Sequence, residues 1–259
     1  MRILLPLAVL FAATPAAARD ACFERPGQTT PPCTVEPGKL AVEVELVGWQ
    51  LSRDEDVRED QVDVANTSLR IGVADHAEVA VAWTPYRHLR TRDRRTGAST
   101  RAGGVGDVTL AAKRSFGDAD APVAALRGYV TLPVGREGVG QGDWSAGVQV
   151  PLSFDLNDRV SLALTPEADA AADQDGHGRH LAWGSAVGVG LTLSERVSLG
   201  ADLLWLRDDD PAGHTTQATA ELSLAAMLGD NAQVDAGVVA GLNRDSPDVA
   251  VLVGFSWRR

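Results

Sequence analysis

The sequence predicts an all-β protein, a transmembrane antiparallel up-and-down β-barrel of about 12 strands, and three observations predict it. The first is alternation. Leu181, Trp183, Val187, Val189, Leu191 and Leu193, then Val197, Leu199, Leu203 and Trp205, fall on one alternate set, with Ala182, Gly184, Gly188, Gly190, Ser198, Gly200 and Asp202 between them. The second is the breaks, which alternate between short turns (Asp75, 117–121, 157–158, 194–195, 229–231) and longer loops (88–104, 173–180). Tight turns on one side and longer loops on the other are a bacterial outer-membrane pattern. The third is aromatic placement. With a periplasmic N-terminus, Trp49, Trp83, Trp144, Trp183 and Trp205 fall near the outer ends of strands, and Phe116, Phe154, Phe255 and Trp257 near the inner ends.

Met1 and Arg2 precede the apolar run 3–13, and Ala16, Ala17 and Ala18 follow, so residues 1–18 read as a secretory signal peptide with the mature chain starting near Arg19. That run is too short for a helical anchor, and no later stretch holds eighteen consecutive apolar residues. Segment 19–38 is Pro-rich, with Cys22 and Cys33 flanking FERPGQTTPP. In an oxidising compartment such a pair predicts a local disulfide, more readily than a two-thiol metal site. The segment is placed in the periplasm or in the lumen. Residues 39–259 then form the barrel, with strands at 39–51, 60–74, 76–87, 105–117, 122–134, 143–156, 158–170, 181–194, 196–208, 214–228, 231–243 and 248–257. Two features break the pattern. Trp49 is out of step with Leu40, Val42, Val44 and Leu46, which asks for a bulge or an inward tryptophan. Pro151 sits in mid-strand and asks for a bulge or kink, whereas Pro133 lies at a strand end.

The bulky set suits lipid; the small and polar set suits a lumen. Isolated charges on that second set, Glu43, Glu45, Arg70, Glu78, Lys113, Arg127, Asp155, Glu167, Asp202, Glu221 and Asp235, would cost several kcal/mol on the lipid face and are expected to line the lumen. Carboxylates outnumber cations among them, so an open lumen should favour cations over anions and admit small neutral solutes. The formal net charge of −11 argues against nucleic acid as a partner.

GVGDVTLAAKRSF (104–116), YVTLPVGREGVGQGDW (129–144) and PPCTVEPGKLAVEVELVGW (31–49) resemble the outer-membrane family catalogued under the meta pathway of phenol degradation, often labelled transporter. The resemblance runs along the mature chain and is most specific at Gly106, Asp107 and Lys113 and at Leu132, Pro133 and Gly135. It implies a barrel that passes hydrophobic or aromatic compounds. The chain departs from the usual aromatic C-terminus of outer-membrane barrels, because Arg258 and Arg259 follow Trp257.

Chemistry is sparse. His177 and His180 with Asp173 and Asp175 could sketch a loop metal site, but the spacing matches no zinc or EF-hand pattern and solvated loops are the simpler reading. Asp208, Asp209 and Asp210 read as a solvated loop tip that could bridge divalent cations to lipopolysaccharide. The Gly-rich stretch 138–143 lies in a loop and lacks the strand-to-helix context of a phosphate cradle. No histidine sits in mid-strand beside a serine, so neither a catalytic residue, a metal nor a cofactor is expected. The expected partners are outer-membrane lipid, a small-molecule solute and the barrel-assembly machinery. The leading expectation is a passive channel; a sealed structural barrel is the alternative and an outer-membrane enzyme the weakest reading.

Overall fold

Residues 22–118 and 122–259 are described by a computed structural model; the expected signal peptide at 1–18 lies outside the described residues. Fifteen strand segments follow in order: β1 (Leu40–Arg53), β2 (Val57–Ala74), β3 (Ala77–Trp83), β4 (Tyr86–Asp93), β5 (Ser99–Gly104), β6 (Val108–Gly117), β7 (Pro122–Leu132), β8 (Ser145–Gln149), β9 (Leu152–Asn157), β10 (Val160–Ala172), β11 (Arg179–Ser194), β12 (Val197–Asp208), β13 (Thr215–Met227), β14 (Ala232–Gly241) and β15 (Val249–Arg258). They build a closed antiparallel barrel of 12 staves. β3 and β4 both lie along β2, β5 and β6 continue one another on the return, and β8 and β9 are one interrupted stave. Closure comes from β1, which pairs β2 on one edge and β15 on the other, Ala41 opposite Arg258. The transmembrane wall thus has no free edge among the described residues, and only β5, which pairs β4 alone, is bonded on one side.

The barrel is inverted relative to a water-soluble protein. Thirty-three large hydrophobic side chains are exposed, Leu203 at 56% and Leu222 at 55% among them, while the buried set includes Glu43, Asp63, Arg70, Glu78, Lys113, Asp202, Glu221 and Asp235. An apolar surface of that extent needs lipid. No helix among the described residues is long and apolar enough to cross a membrane; the chain crosses with strands. Trp183 and Trp205 meet edge-to-face at 4.8 Å near the outer rim, and Arg179 stacks over the Trp144 ring at 3.6 Å. Phe116 and Phe154 stand exposed at the opposite end.

Both irregularities have definite outcomes. β1 slips by one residue against β15 between Glu45 and Val47, which leaves Leu46 and Val47 both exposed and returns Trp49 to the outward face opposite Val251. The expected bulge at Pro151 is absent. Gln149 pairs Glu167 and Leu152 pairs Leu164 in one unbroken register, so the proline only interrupts the ladder, as a residue without an N–H must. The stretch 88–104, expected as a loop, instead forms the β4–β5 hairpin that lengthens the wall beyond the outer rim.

Candidate functional site

The small luminal residues have a tenant. Segment 22–38 lies inside the barrel and is tied to the wall on every side. Cys22 and Cys33 are disulfide-bonded and gather it into a loop laid across the bore. The Glu24 and Arg25 amides donate to Glu43 on β1 at 2.9 and 2.8 Å. The Arg25 side chain reaches Asp235 on β14 at 2.8 Å and Glu45 on β1 at 3.4 Å. The Gln28 amide donates to Asp202 on β12 at 2.7 Å, and its side-chain oxygen accepts from Thr219 on β13. The Thr30 amide donates to Thr165 on β10, and the Val35 amide to Glu78 on β3 at 2.7 Å. At Pro37 the segment bridges Gly72 of β2 and turns into β1.

Glycine at the contact points makes this possible. A Cβ at Gly254 would lie 2.4 Å from the Arg25 guanidinium, and one at Gly188 would lie 3.1 Å from Thr29. Gly27, at φ +115°, brings the segment's backbone against Asp202.

Arg70 is the electrostatic centre of the anchor. It is fully buried (0% exposed), donates to Glu43 at 2.7 Å, to both Glu78 oxygens at 3.0 and 2.9 Å and to the Cys22 carbonyl at 2.7 Å. Lys113 bridges Glu24 at 2.8 Å and Glu78 at 3.1 Å and donates to the Pro31 carbonyl. Burial alone would raise the Glu24 carboxyl, but the Arg70 and Lys113 cations hold it well below the usual carboxylate range.

The other luminal charges are spread around the wall. Asp202 and Glu221 are direct cross-strand neighbours on β12 and β13, and neither forms an ion pair among the described residues. Across the bore, Lys113 and Arg127 pair on β6 and β7; Arg127 donates to Gln149, which itself donates to Glu167. Asp155 shares the inward register with Ser161 at the periplasmic mouth and is exposed. Cavities lie beside the segment. An outer one of about 400 Å³ is walled by Glu45, Gln50, Gln61, Asp63, Thr219 and Glu221. An inner one of about 300 Å³ lies among Ser153, Ser161, Gly190, Ser198, Gly200 and Ser223. Arg25 and Pro26 line both.

Glu24, Arg25, Gln28 and Thr30 were not marked by the sequence. Their one signal was indirect: an excess of inward carboxylates beside Gly and Ser, which a cationic, hydrogen-bonding insert would satisfy. Asp107 also gains a role, accepting from the Gly135 and Gln141 amides at 2.8 and 2.6 Å and so pinning the outer loop 133–144.

At the outer mouth, His180 Nδ1 lies 2.8 Å from Asp173 and 3.6 Å from Asp210, and Nε2 lies 2.9 Å from Asp208. Asp173, His180 and Asp210 could hold a metal ion, and Asp210 also accepts the Gln174 and Ala212 amides, which lower its carboxyl pKa. His177 stays out of this group, its amide bonded to Asp175.

Solved structures share the architecture. The COG4313 outer membrane channel from Pseudomonas putida F1 superposes with a TM-score of 0.69 at 14% identity, over 91% of this chain and 99% of that one. The NanC porin gives 0.53 at 10% identity, over 84% and 98%. The β domain of the Bordetella autotransporter BrkA gives 0.54 at 13%, over 86% and 99%. Among curated proteins none matches. With an apolar exterior, aromatic rims and this fold, the protein is a bacterial outer-membrane β-barrel. Residues 23–259, from the luminal segment to the closing strand, match one family model, and the chain belongs to the family it describes, "Putative MetA-pathway of phenol degradation".

Proposed function

We propose that the protein is a passive channel that admits small solutes through the lumen beside segment 22–38, with no catalytic step. The observation that carries the reading is the pair of cavities, about 400 and 300 Å³, with Arg25 and Pro26 on both. A sealed structural barrel would fill this space with side chains, whereas these walls leave it open and mix Gly, Ser, Thr, Gln and carboxylates with apolar residues such as Leu204, Val239 and Leu199. Buried polar atoms without a protein partner, Gln28 Nε2 and Glu221 Oε1, border the outer cavity and suit a hydrated path. The similarity to a channel and to a porin favours the same reading, and the family description favours phenolic or other small aromatic solutes.

Arg25, Arg70 and Lys113 pair with Glu24, Glu43, Glu45, Glu78 and Asp235, three cations against five carboxylates. Asp202, Glu221, Glu167 and Asp155 remain as a negative lining. The channel therefore prefers cations and neutral solutes to anions. Reversal potential across a salt gradient tests this. Cation preference is expected, reduced on the order of threefold by Asp202→Asn with Glu221→Gln; anion preference in the native protein would refute it.

A further inference from the structure

A groove of about 430 Å³ lies on the outer wall where β2, β4 and β5 extend past the rim, lined by Arg58, Asp60, Val62, His88, Arg90, Arg92 and Arg101. The register stacks like charges. Arg90 stands directly opposite Arg101 across β4–β5, and Arg92 directly opposite Arg58 across β2–β4. Such pairs are destabilising on a sheet unless an anion lies between them. The one carboxylate present, Asp60, stands opposite Arg90 across β2–β4 and is held by Arg58 through two 2.8 Å hydrogen bonds, one anion among four guanidinium groups. Arg90, Arg92 and Arg101 are exposed and form no ion pair among the described residues. In a chain of net charge −11, four arginines thus share one strip of wall with a single carboxylate.

The strip faces away from the lumen. Asp63, paired with Arg87 at 2.7 Å, lies on the inward side of β2, so Val62, Asp60 and Arg58 alternate outward, in step with Val64 and Tyr86 below them. Tyr86 is 47% exposed at the aromatic rim. At about 3.4 Å per residue along a strand tilted by about 40°, His88 stands roughly 5 Å above that rim, Arg90 roughly 10 Å and Arg92 roughly 16 Å. Charged headgroups of the outer leaflet occupy that height, and the apolar wall below can take their acyl chains.

We propose that this groove binds the phosphate groups of a phosphorylated glycolipid of the outer leaflet, with Arg90 and Arg101 as the central pair and Arg58 and Arg92 above them. Guanidinium forks suit phosphate oxygens better than any neutral headgroup. The site is separate from the lumen and anchors the β4–β5 hairpin to the membrane surface.

The test uses the full-length protein in detergent, with bis-phosphorylated lipid A, its dephosphorylated counterpart and inorganic phosphate as probes, and native mass spectrometry as readout. Retention of the phosphorylated lipid alone is expected, reduced at least about tenfold in Arg90→Ala/Arg101→Ala and largely kept in Arg90→Lys/Arg101→Lys. Heat-modifiable gel migration checks that each variant is folded. Equal retention of the dephosphorylated lipid, or unchanged retention in the folded double alanine variant, would overturn the proposal. So would competition by millimolar inorganic phosphate as strong as by the lipid, which would mark a free-anion site.

Discussion

Replacing Arg70 by methionine is expected to destabilise the barrel by about 3–5 kcal/mol, because it strands buried carboxylates whose cation has gone. Glu43 and Glu78 are buried and within 3.0 Å of the guanidinium, which also carries the Cys22 carbonyl. Lys113 still reaches Glu78 and Glu24, but Glu43 keeps only the two backbone amides of the segment. Urea titration of the protein folded in lipid vesicles measures the loss. Arg70→Met together with Glu43→Gln should recover part of it, since the second change removes a charge that the first leaves uncompensated.

A second large effect is expected at Gly72, where β2 meets the segment backbone to backbone. A Cβ there would fall 2.1 Å from the Glu36 carbonyl oxygen and 2.4 Å from that of Val35, atoms that no rotamer change can move aside. Gly72→Val must push the segment off the wall and break the 2.7 Å bond from the Val35 amide to Glu78. The cost is on the order of 3 kcal/mol from overpacking and the lost charged hydrogen bond. Vesicle urea titration reads the stability, and faster reaction of the Cys22–Cys33 bond with a membrane-impermeant reductant reads the displaced segment. Unchanged stability and reduction rate would mean the contact is not as close as described.

Much of the barrel was legible because a two-residue period is unambiguous when one face meets lipid. Leu199, Leu203 and Trp205 against Gly200 and Asp202 admit one register only. Trp49 even advertised the slip at Leu46. The β4–β5 hairpin was not legible, since in HLRTRDRRTGASTR both faces meet water and nothing apolar marks a period. Pro151 misled because a missing donor can be met by an extra residue or by a gap in the ladder, and sequence does not choose between them.

For segment 19–38 the sequence left periplasm and lumen both open and marked none of the residues that tie it to the wall. Glu24, Arg25, Gln28 and Thr30 have no periodicity, and their partners Glu43, Asp235, Asp202 and Thr165 lie as far as 210 residues away along the chain. The alternating pattern gives a register for these charges but not what satisfies them. His180 shows the same limit: Asp173 is near in sequence, but Asp208 and Asp210 reach it only because β11 and β12 are neighbours.

Segment 22–38 sits in the lumen, and the proposed solute path runs beside it. Single-channel recording in planar bilayers tests it most directly, on the full-length mature protein and on a form lacking residues 22–37, whose walls still close through β1 and β15. The full-length protein should show a small, steady conductance, and the shortened form one larger on the order of fivefold, as the bore of a 12-stranded barrel loses the loop laid across it. Equal conductance in the two forms, or none in either, would contradict the account.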